Sequence, residues 1–296
     1  MNLLAISDLH IGCSPNHQAL QLVKPHLDDW LIIAGDVGET VRDLELALDI
    51  LAPRFRRLVW CPGNHDLWTT EAGGARGEDK YRRLVDICRR RGVLTPEDDY
   101  AVWEGPTERL LIAPLHLLYD YSFRPDHVAP ADAPAWAAAA GTRCADEELL
   151  DPTPFPTVAA WCAARCAATE RRLERAVRET GLRTVLINHF PLKQALARLP
   201  LIPRFRVWCG TRRTEDWHLR FRAAAVVSGH LHIRNTSVID GCRFEEVSLG
   251  YPDRQWNPAN GVDVYIRRIL PADGPPSRAR PGEKRNEPGH GLRLGV

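Results

Sequence analysis

An α/β fold is predicted for this chain of 296 residues, and three observations predict it. Apolar runs alternate with amphipathic segments through the first third, the pattern of βαβ units. Five apolar runs, residues 3–7, 31–34, 58–61, 184–187 and 224–228, read as buried strands. Each runs directly into a polar block: Asp8-Leu9-His10, Gly35-Asp36-Val37-Gly38-Glu39, Gly63-Asn64-His65-Asp66, Asn188-His189 and Gly229-His230-Leu231-His232. In an open α/β sheet, ligands bind where loops leave the carboxyl ends of strands. One rim is therefore expected to collect these carboxylates, imidazoles and amide oxygens.

In chain order, strand 3–7 is followed by a helical segment near 18–24 and by strand 31–34. The opening Met1-Asn2-Leu3-Leu4-Ala5-Ile6 has no basic start or cleavage pattern and reads as that first strand, not as a signal peptide. Residues 39–51 place Val41, Leu44, Leu48 and Leu51 at the three-and-four spacing of an amphipathic helix, which Pro53 stops. Strand 58–61 and a helix over 80–91 follow. Residues 100–103 and 109–116 form two strands joined by the turn Glu104-Gly105-Pro106. The stretch 125–156 is rich in Pro and Ala without a period, and Asp151-Pro152-Thr153-Pro154-Phe155-Pro156 excludes regular structure there. Loops of this length are usually functional or disordered. A helix over 161–180 ends at Gly181, as a left-handed cap allows. Strands 236–240 and 243–247 flank Asp240-Gly241, a hairpin signal, and the alternating 262–269 closes the sheet. The expected organisation is one domain over 1–270, with 125–156 as an insertion and candidate lid, and a disordered tail over 271–296.

Composition narrows the function. Hydrophobic residues at 44% and charged residues at 26% are globular values, and a formal net charge of +1 argues against a dedicated nucleic-acid binder. Only four of the 39 basic residues are lysine, which GC-rich codon usage explains more simply than phosphate recognition. No apolar run approaches the roughly 20 residues that cross a bilayer. The eight scattered cysteines read as buried free thiols of a cytoplasmic protein, with Cys162 and Cys166 on one helix face but without further metal ligands.

The blocks carry the chemistry. A strand leaving its sheet puts Asp8 and His10 on one side, so both can chelate one ion. Asp36 has two carboxylate oxygens and suits a bridge between two ions. Asn64 offers a neutral oxygen, and His189, His230 and His232 complete a mixed oxygen and nitrogen set that suits Mn, Fe or Zn. Any block alone is weak, since Asn64-His65-Asp66 can be a capped turn and His230 and His232 can be strand histidines. Five at strand ends are not. His17, His26, His127, His218 and His290 read as surface residues, and His116, ending a strand, is a lesser candidate for the site.

The order D-x-H, G-D-x-x-E, G-N-H-D, His, G-H-x-H resembles the calcineurin-like metallophosphoesterase superfamily over about residues 1–270. The resemblance implies a four-layer αββα sandwich of two mixed sheets flanked by helices. It also implies two metal ions, Mn and Fe being favoured, one held by Asp8, His10, Asp36 and His232 and the other by Asp36, Asn64, His189 and His230. His65 would donate to the reacting phosphate, with Asp66 orienting it or bracing the loop. The implied chemistry is phosphodiester hydrolysis by a hydroxide bridging metals about 3.5–4 Å apart. Tyr119–Pro125, Trp208–Thr211, Asp216–His218 and Phe244–Pro252 are further similar to an actinobacterial subgroup, one branch of which removes 4′-phosphopantetheine from holo acyl carrier protein. The alternatives are a broad phosphodiesterase of cyclic nucleotides or other small diesters, and a non-catalytic scaffold. A scaffold typically lacks some of these ligands or the equivalent of His65, all of which are present here.

Overall fold

The computed structural model describes residues 1–70, 73–252 and 254–272. Its strands are β1 (Leu3–Ile6), β2 (His26–Ala34), β3 (Phe55–Cys61), β4 (Ala101–Glu104), β5 (Arg109–Pro114), β6 (Arg183–Ile187), β7 (Ala223–Ser228), β8 (Asn235–Ile239), β9 (Cys242–Glu246) and β10 (Arg267–Leu270). Its α-helices are α1 (Ser14–Leu20), α2 (Val41–Leu51), α3 (Asn64–Leu67), α4 (Gly77–Arg90), α5 (Ala133–Ala138), α6 (Asp146–Leu149), α7 (Val158–Thr180) and α8 (Trp217–Arg220). One sheet has the order β10-β1-β2-β3 and the other β4-β5-β6-β7-β9-β8. Both are mixed: β1, β2 and β3 run parallel, as do β5, β6, β7 and β9, and β10, β4 and β8 join antiparallel.

The strand period of two explains the layers. Leu3, Ala5, Ile32, Ala34, Val59 and Cys61 of the first sheet share one core with Ile112, Val185, Ile187, Ala225 and Val227 of the second. The intervening Leu4, Ile6, Leu31, Ile33, Leu58, Trp60, Leu186 and Val226 belong to a second core that also holds buried residues of the helices. Strands covered on both faces have no reason to alternate with polar residues, which is why they read as continuous apolar runs. Each buried aliphatic contributes about 1.5–3 kcal/mol. Helix α2 starts at a reciprocal cap, in which Thr40 Oγ1 accepts from Asp43 N at 3.1 Å and the Asp43 carboxylate accepts from Thr40 N at 2.9 Å. Helix α7 ends at Gly181, whose φ of 68° is left-handed.

The expected strands and helices are present, with ends shifted by a few residues. One departs further: residues 262–266 form a 3-10 turn over Asp263–Tyr265, and only Arg267–Leu270 pairs with β1. The 125–156 stretch contains short helices, α5, α6 and a 3-10 turn over Pro130–Asp132, while Asp151–Pro156 has neither helix nor strand. Val128, Ala133, Ala137 and Leu150 bury its inner side. Of the tail expected over 271–296, residues 273–296 lie outside the described residues. All eight cysteines are free thiols, with Cys162 Sγ and Cys166 Sγ 4.0 Å apart inside α7.

Candidate metal centre

The two sheets are joined at the carboxyl ends of their parallel strands. Ser7 and Ser248 form an isolated parallel bridge, with Ser7 N donating to Val247 O at 3.1 Å and Leu249 N to Ser7 O at 2.9 Å. The polar blocks leave β1, β2, β3, β6 and β7 at this seam. Asp8, His10, Asp36, His230 and His232 all have positive φ, from 41° to 72°. Left-handed backbone is uncommon for non-glycine residues and persists only where the surroundings over-determine it, a condition typical of functional sites. Glycines make the crowding tolerable. A Cβ at Gly63 would collide with Asp36 Oδ1, and one at Gly229 with Asp8 Oδ2 and Ser7 Oγ.

Asp8 is fully buried, and its Oδ2 accepts from Ser7 Oγ at 2.5 Å and Ser248 Oγ at 2.8 Å. Its Oδ1 faces His232 Nε2 at 3.0 Å and His10 Nε2 at 4.0 Å. His10 Nε2 and His232 Nε2 themselves stand 3.3 Å apart. Burial would raise the Asp8 carboxyl, but His232, His189 and His10 outweigh it and hold it well below the ordinary range. Asp36 Oδ2 lies 3.2 Å from His189 Nε2 and 3.9 Å from His65 Nε2, while its Oδ1 accepts from His65 N at 2.9 Å. Asn64 Oδ1 is 3.1 Å from His189 Nε2. His189 Nδ1 sits 2.9 Å from Ala34 O, so an Nδ1–H donated there fixes the ring with Nε2 turned inward. Burial alone would lower His189, but Asp36 and Asp8 push it up to about 10.

A pair of cations fits these donors. Three groups of ligand atoms lie within 4.8 Å of one another: Asp8, His10 and His232; His10, Asp36 and His65; Asp8, Asp36 and His189. Asp36, Asp8 and His10 each belong to two of them, so the groups adjoin and share ligands. His230 stands with its ring centroid 5.2 Å from that of His189, and its Nε2 is buried without a hydrogen-bond partner. Burial first, and then His189, pushes His230 down to about 3, leaving a neutral ring with a lone pair to give. An orphaned imidazole nitrogen among buried carboxylates is costly unless a cation completes it.

His65 lies between His10 and Trp68, at centroid distances of 4.7 and 3.6 Å, and its Nδ1 is 3.6 Å from Glu39 Oε1. Burial would lower His65, but Asp36 and Glu39 raise it above the ordinary histidine value. Asp66 accepts from the backbone N–H of Asp36, Val37, Gly38 and Gly63 at 2.8–3.4 Å, and so braces the β2 and β3 loops against each other. His116 is elsewhere, buried between Tyr81 and Trp161. His218 corrects the surface reading: it is buried, with Nε2 2.9 Å from Asp240 Oδ2, because α8 packs on the β8–β9 hairpin turn. Residue 290 lies outside the described residues.

Sequence reasoning missed Asp146. From α6 this buried carboxylate accepts Asn64 Nδ2 at 2.9 Å and Trp68 Nε1 at 2.6 Å, which turns Asn64 Oδ1 toward His189. Nothing in Asp146-Glu147-Glu148 distinguishes it from a solvated acidic turn. Glu39 was visible inside its block but carried no assigned contact. Tyr251, stacked on His10 at 4.7 Å, is where Gly250-Tyr251-Pro252 reaches the site. Together these groups open on a cleft of about 340 Å³, lined by Asp36, Asn64, His65, His230 and His232, by the apolar Leu199, Ile202 and Phe205 and by Leu231 of the donor loop itself, and by Arg143.

Residues 1–234 match the calcineurin-like phosphoesterase family model. The chain is 44% identical over 273 residues to an [acyl-carrier-protein] phosphodiesterase, PptH, of Mycobacterium tuberculosis, covering 91% of this chain and 83% of that protein. It is also similar to the crystal structure of the phosphopantetheinyl hydrolase PptH from the same organism, at 43% identity and a TM-score of 0.85 over 92% of this chain and 96% of the other. The two-sheet αββα architecture, the gathered carboxylates and imidazoles, and these matches make the chain a calcineurin-like phosphoesterase, a metal-dependent hydrolase of phosphoesters.

Proposed function

We propose that this enzyme releases 4′-phosphopantetheine from holo acyl carrier protein by hydrolysing the diester that joins them. The observation carrying this reading is similarity over nearly the whole chain, in sequence and in fold, to a phosphodiesterase named for that substrate. The cleft agrees with it. Its lining combines the donors with the apolar Leu199, Ile202, Phe205 and Leu231, which suits a phosphate joined to an organic arm. Arg143 lines the same cleft without an ion-pair partner among the described residues, and its guanidinium would neutralise phosphate charge there.

Asp8, His10, Asp36 and His232 hold one ion in this reading, and Asp36, Asn64, His189 and His230 the other, Mn and Fe being the favoured pair. Such ions supply Lewis-acid stabilisation of phosphoryl charge and a water of lowered pKa. The chain's own residues then do the following. Asp36 and Asn64 keep the donors in register, and Ser7 and Ser248 commit one oxygen of Asp8 so that the other stays turned inward. His65, steadied by Trp68 and Glu39, presents Nε2 to the phosphate, bonds to an oxygen of the ester and returns a proton to the serine oxygen as it leaves. No described helix is long and apolar enough to cross a membrane, and eight free thiols suit the reducing cytoplasm as the site of action.

The test is the intact mass of holo acyl carrier protein after incubation with Mn-loaded enzyme, with Asp36→Asn as control. Loss of the phosphopantetheine mass only with the wild type is expected. An unchanged mass from a preparation that still cleaves a simple diester would transfer the activity to small-molecule diesters.

A further inference from the structure

The stretch from Phe190 to Thr214 carries six basic residues and no acidic one, in a chain whose formal net charge is only +1. The same stretch supplies Leu199, Ile202 and Phe205 to the cleft wall. Four of the six cations are engaged within the fold. Lys193 lies 3.5 Å from Glu215, Arg212 2.9 Å from Asp126 and Arg213 3.4 Å from Asp120, and Arg204 covers the Trp136 ring at 4.4 Å. The remaining two are not neutralised by any of the described residues. Among these, exposed Arg198 donates only to Ala195 O in its own turn, and the Arg206 Nε is buried with no partner.

Arg198 and Arg206 line a second hollow of about 640 Å³, which shares Leu199 with the metal cleft. Leu201 and Ile202, 66% and 45% exposed, stand in the segment between them. An ordinary solvated face intersperses both signs of charge and exposes few large aliphatics. Uncompensated arginines beside exposed leucine and isoleucine, at the edge of a catalytic opening, have instead the composition of a protein interface.

Resting on the reading of the substrate as a protein-linked diester, we propose that the rim over residues 198–206 docks an acidic surface of the carrier protein adjoining its modified serine. Charge complementarity selects this occupant. The rim offers positive charge and apolar contact within reach of the cleft, so a partner with carboxylates beside its phosphodiester is steered with that ester toward the metals. Rim charges of this kind act on association rate and on its salt dependence more than on the chemical step. A small diester has no surface to place on the rim and gains nothing from it.

The experiment compares wild type with the Arg198→Glu/Arg206→Gln double variant on two substrates, holo acyl carrier protein and bis(p-nitrophenyl) phosphate, between low and high salt. Neither residue touches the metal donors. The expected result is a KM for the carrier protein raised about tenfold with kcat nearly kept, a flattened salt dependence, and unchanged cleavage of the small diester. An unchanged carrier-protein KM and salt slope overturn the docking face while leaving the substrate reading intact. Wild type that cleaves the small diester but never the carrier protein overturns both. Should the double variant lose small-diester activity as well, Arg198→Glu alone decides the matter, because that side chain is exposed. A raised carrier-protein KM in that variant supports the docking face, and an unchanged one overturns it.

Discussion

The strand-end rim and the wall facing it are built on different principles. On the rim, each donor follows a buried strand by two to four residues, so the sheet fixes its position and short blocks record it in the sequence. The wall comes from 125–156 and 190–214, which have few regular elements, yet it supplies Asp146, Arg143 and the apolar side of the cleft. Among the bonds that join the two, Asn64 Nδ2 to Asp146 reaches a donor directly. On the proposed reading, metal chemistry therefore belongs to the rim, while orientation and substrate choice draw on the wall.

The largest effect is expected on the rim. Asp36→Asn removes the charge shared between two donor groups and should lower activity well beyond the roughly 10–100-fold typical of outer partners, with loss of bound metal by elemental analysis. A variant that keeps both metals and near-normal kcat would remove Asp36 from the bridging position. His65→Ala is expected to cost about 10²–10⁴-fold in kcat with metal content unchanged, the signature of a lost proton donor. Full activity in that protein would end the assignment.

Across the junction, Asp146→Ala should cost about 10–100-fold in metal affinity or activity, because Asn64 is then free to rotate. The comparison sharpens if this loss nearly vanishes in an Asn64→Ala background, since one interaction cannot be removed twice. Additive losses would mean that the wall supports the rim by some other route.

The smallest effect concerns pH. In metal-free protein His189 titrates at about 10, against an ordinary value of 6.5, so its contribution to stability is whole below 6.5 and is lost as pH rises through about 10. Thermal melts of the chelated protein should drift down by a few degrees between pH 7 and 10. Metal binding must expel that proton, so competition with a chelator should show tighter binding at pH 8 than at pH 6. A chelated protein whose Tm rises with pH over that window would show that His189 is not charged there.

Much of the fold and rim was legible in the sequence, and for a local reason. β1, β2, β3, β6 and β7 are covered on both faces, so each appears as an unbroken apolar run, and the donors follow at once. The alternation over 262–269 misled because the chain turns through Asp263–Tyr265 before only Arg267–Leu270 reaches the sheet. His218 misled for a similar reason. The residues that enclose it, Asp240 and Phe244, are distant from it in sequence.

By itself, then, the sequence determined the α/β class, the family and the residues proposed as donors, since strand period and the adjoining blocks are encoded within a few residues. Only the tertiary structure decided which groups support and surround that set. Asp146 reaches Asn64 across 82 positions, Ser248 reaches Asp8 across 240, and the 198–206 rim meets the cleft through loop packing. Those contacts are set by how aperiodic segments close over the two sheets, and no short-range pattern specifies that closure.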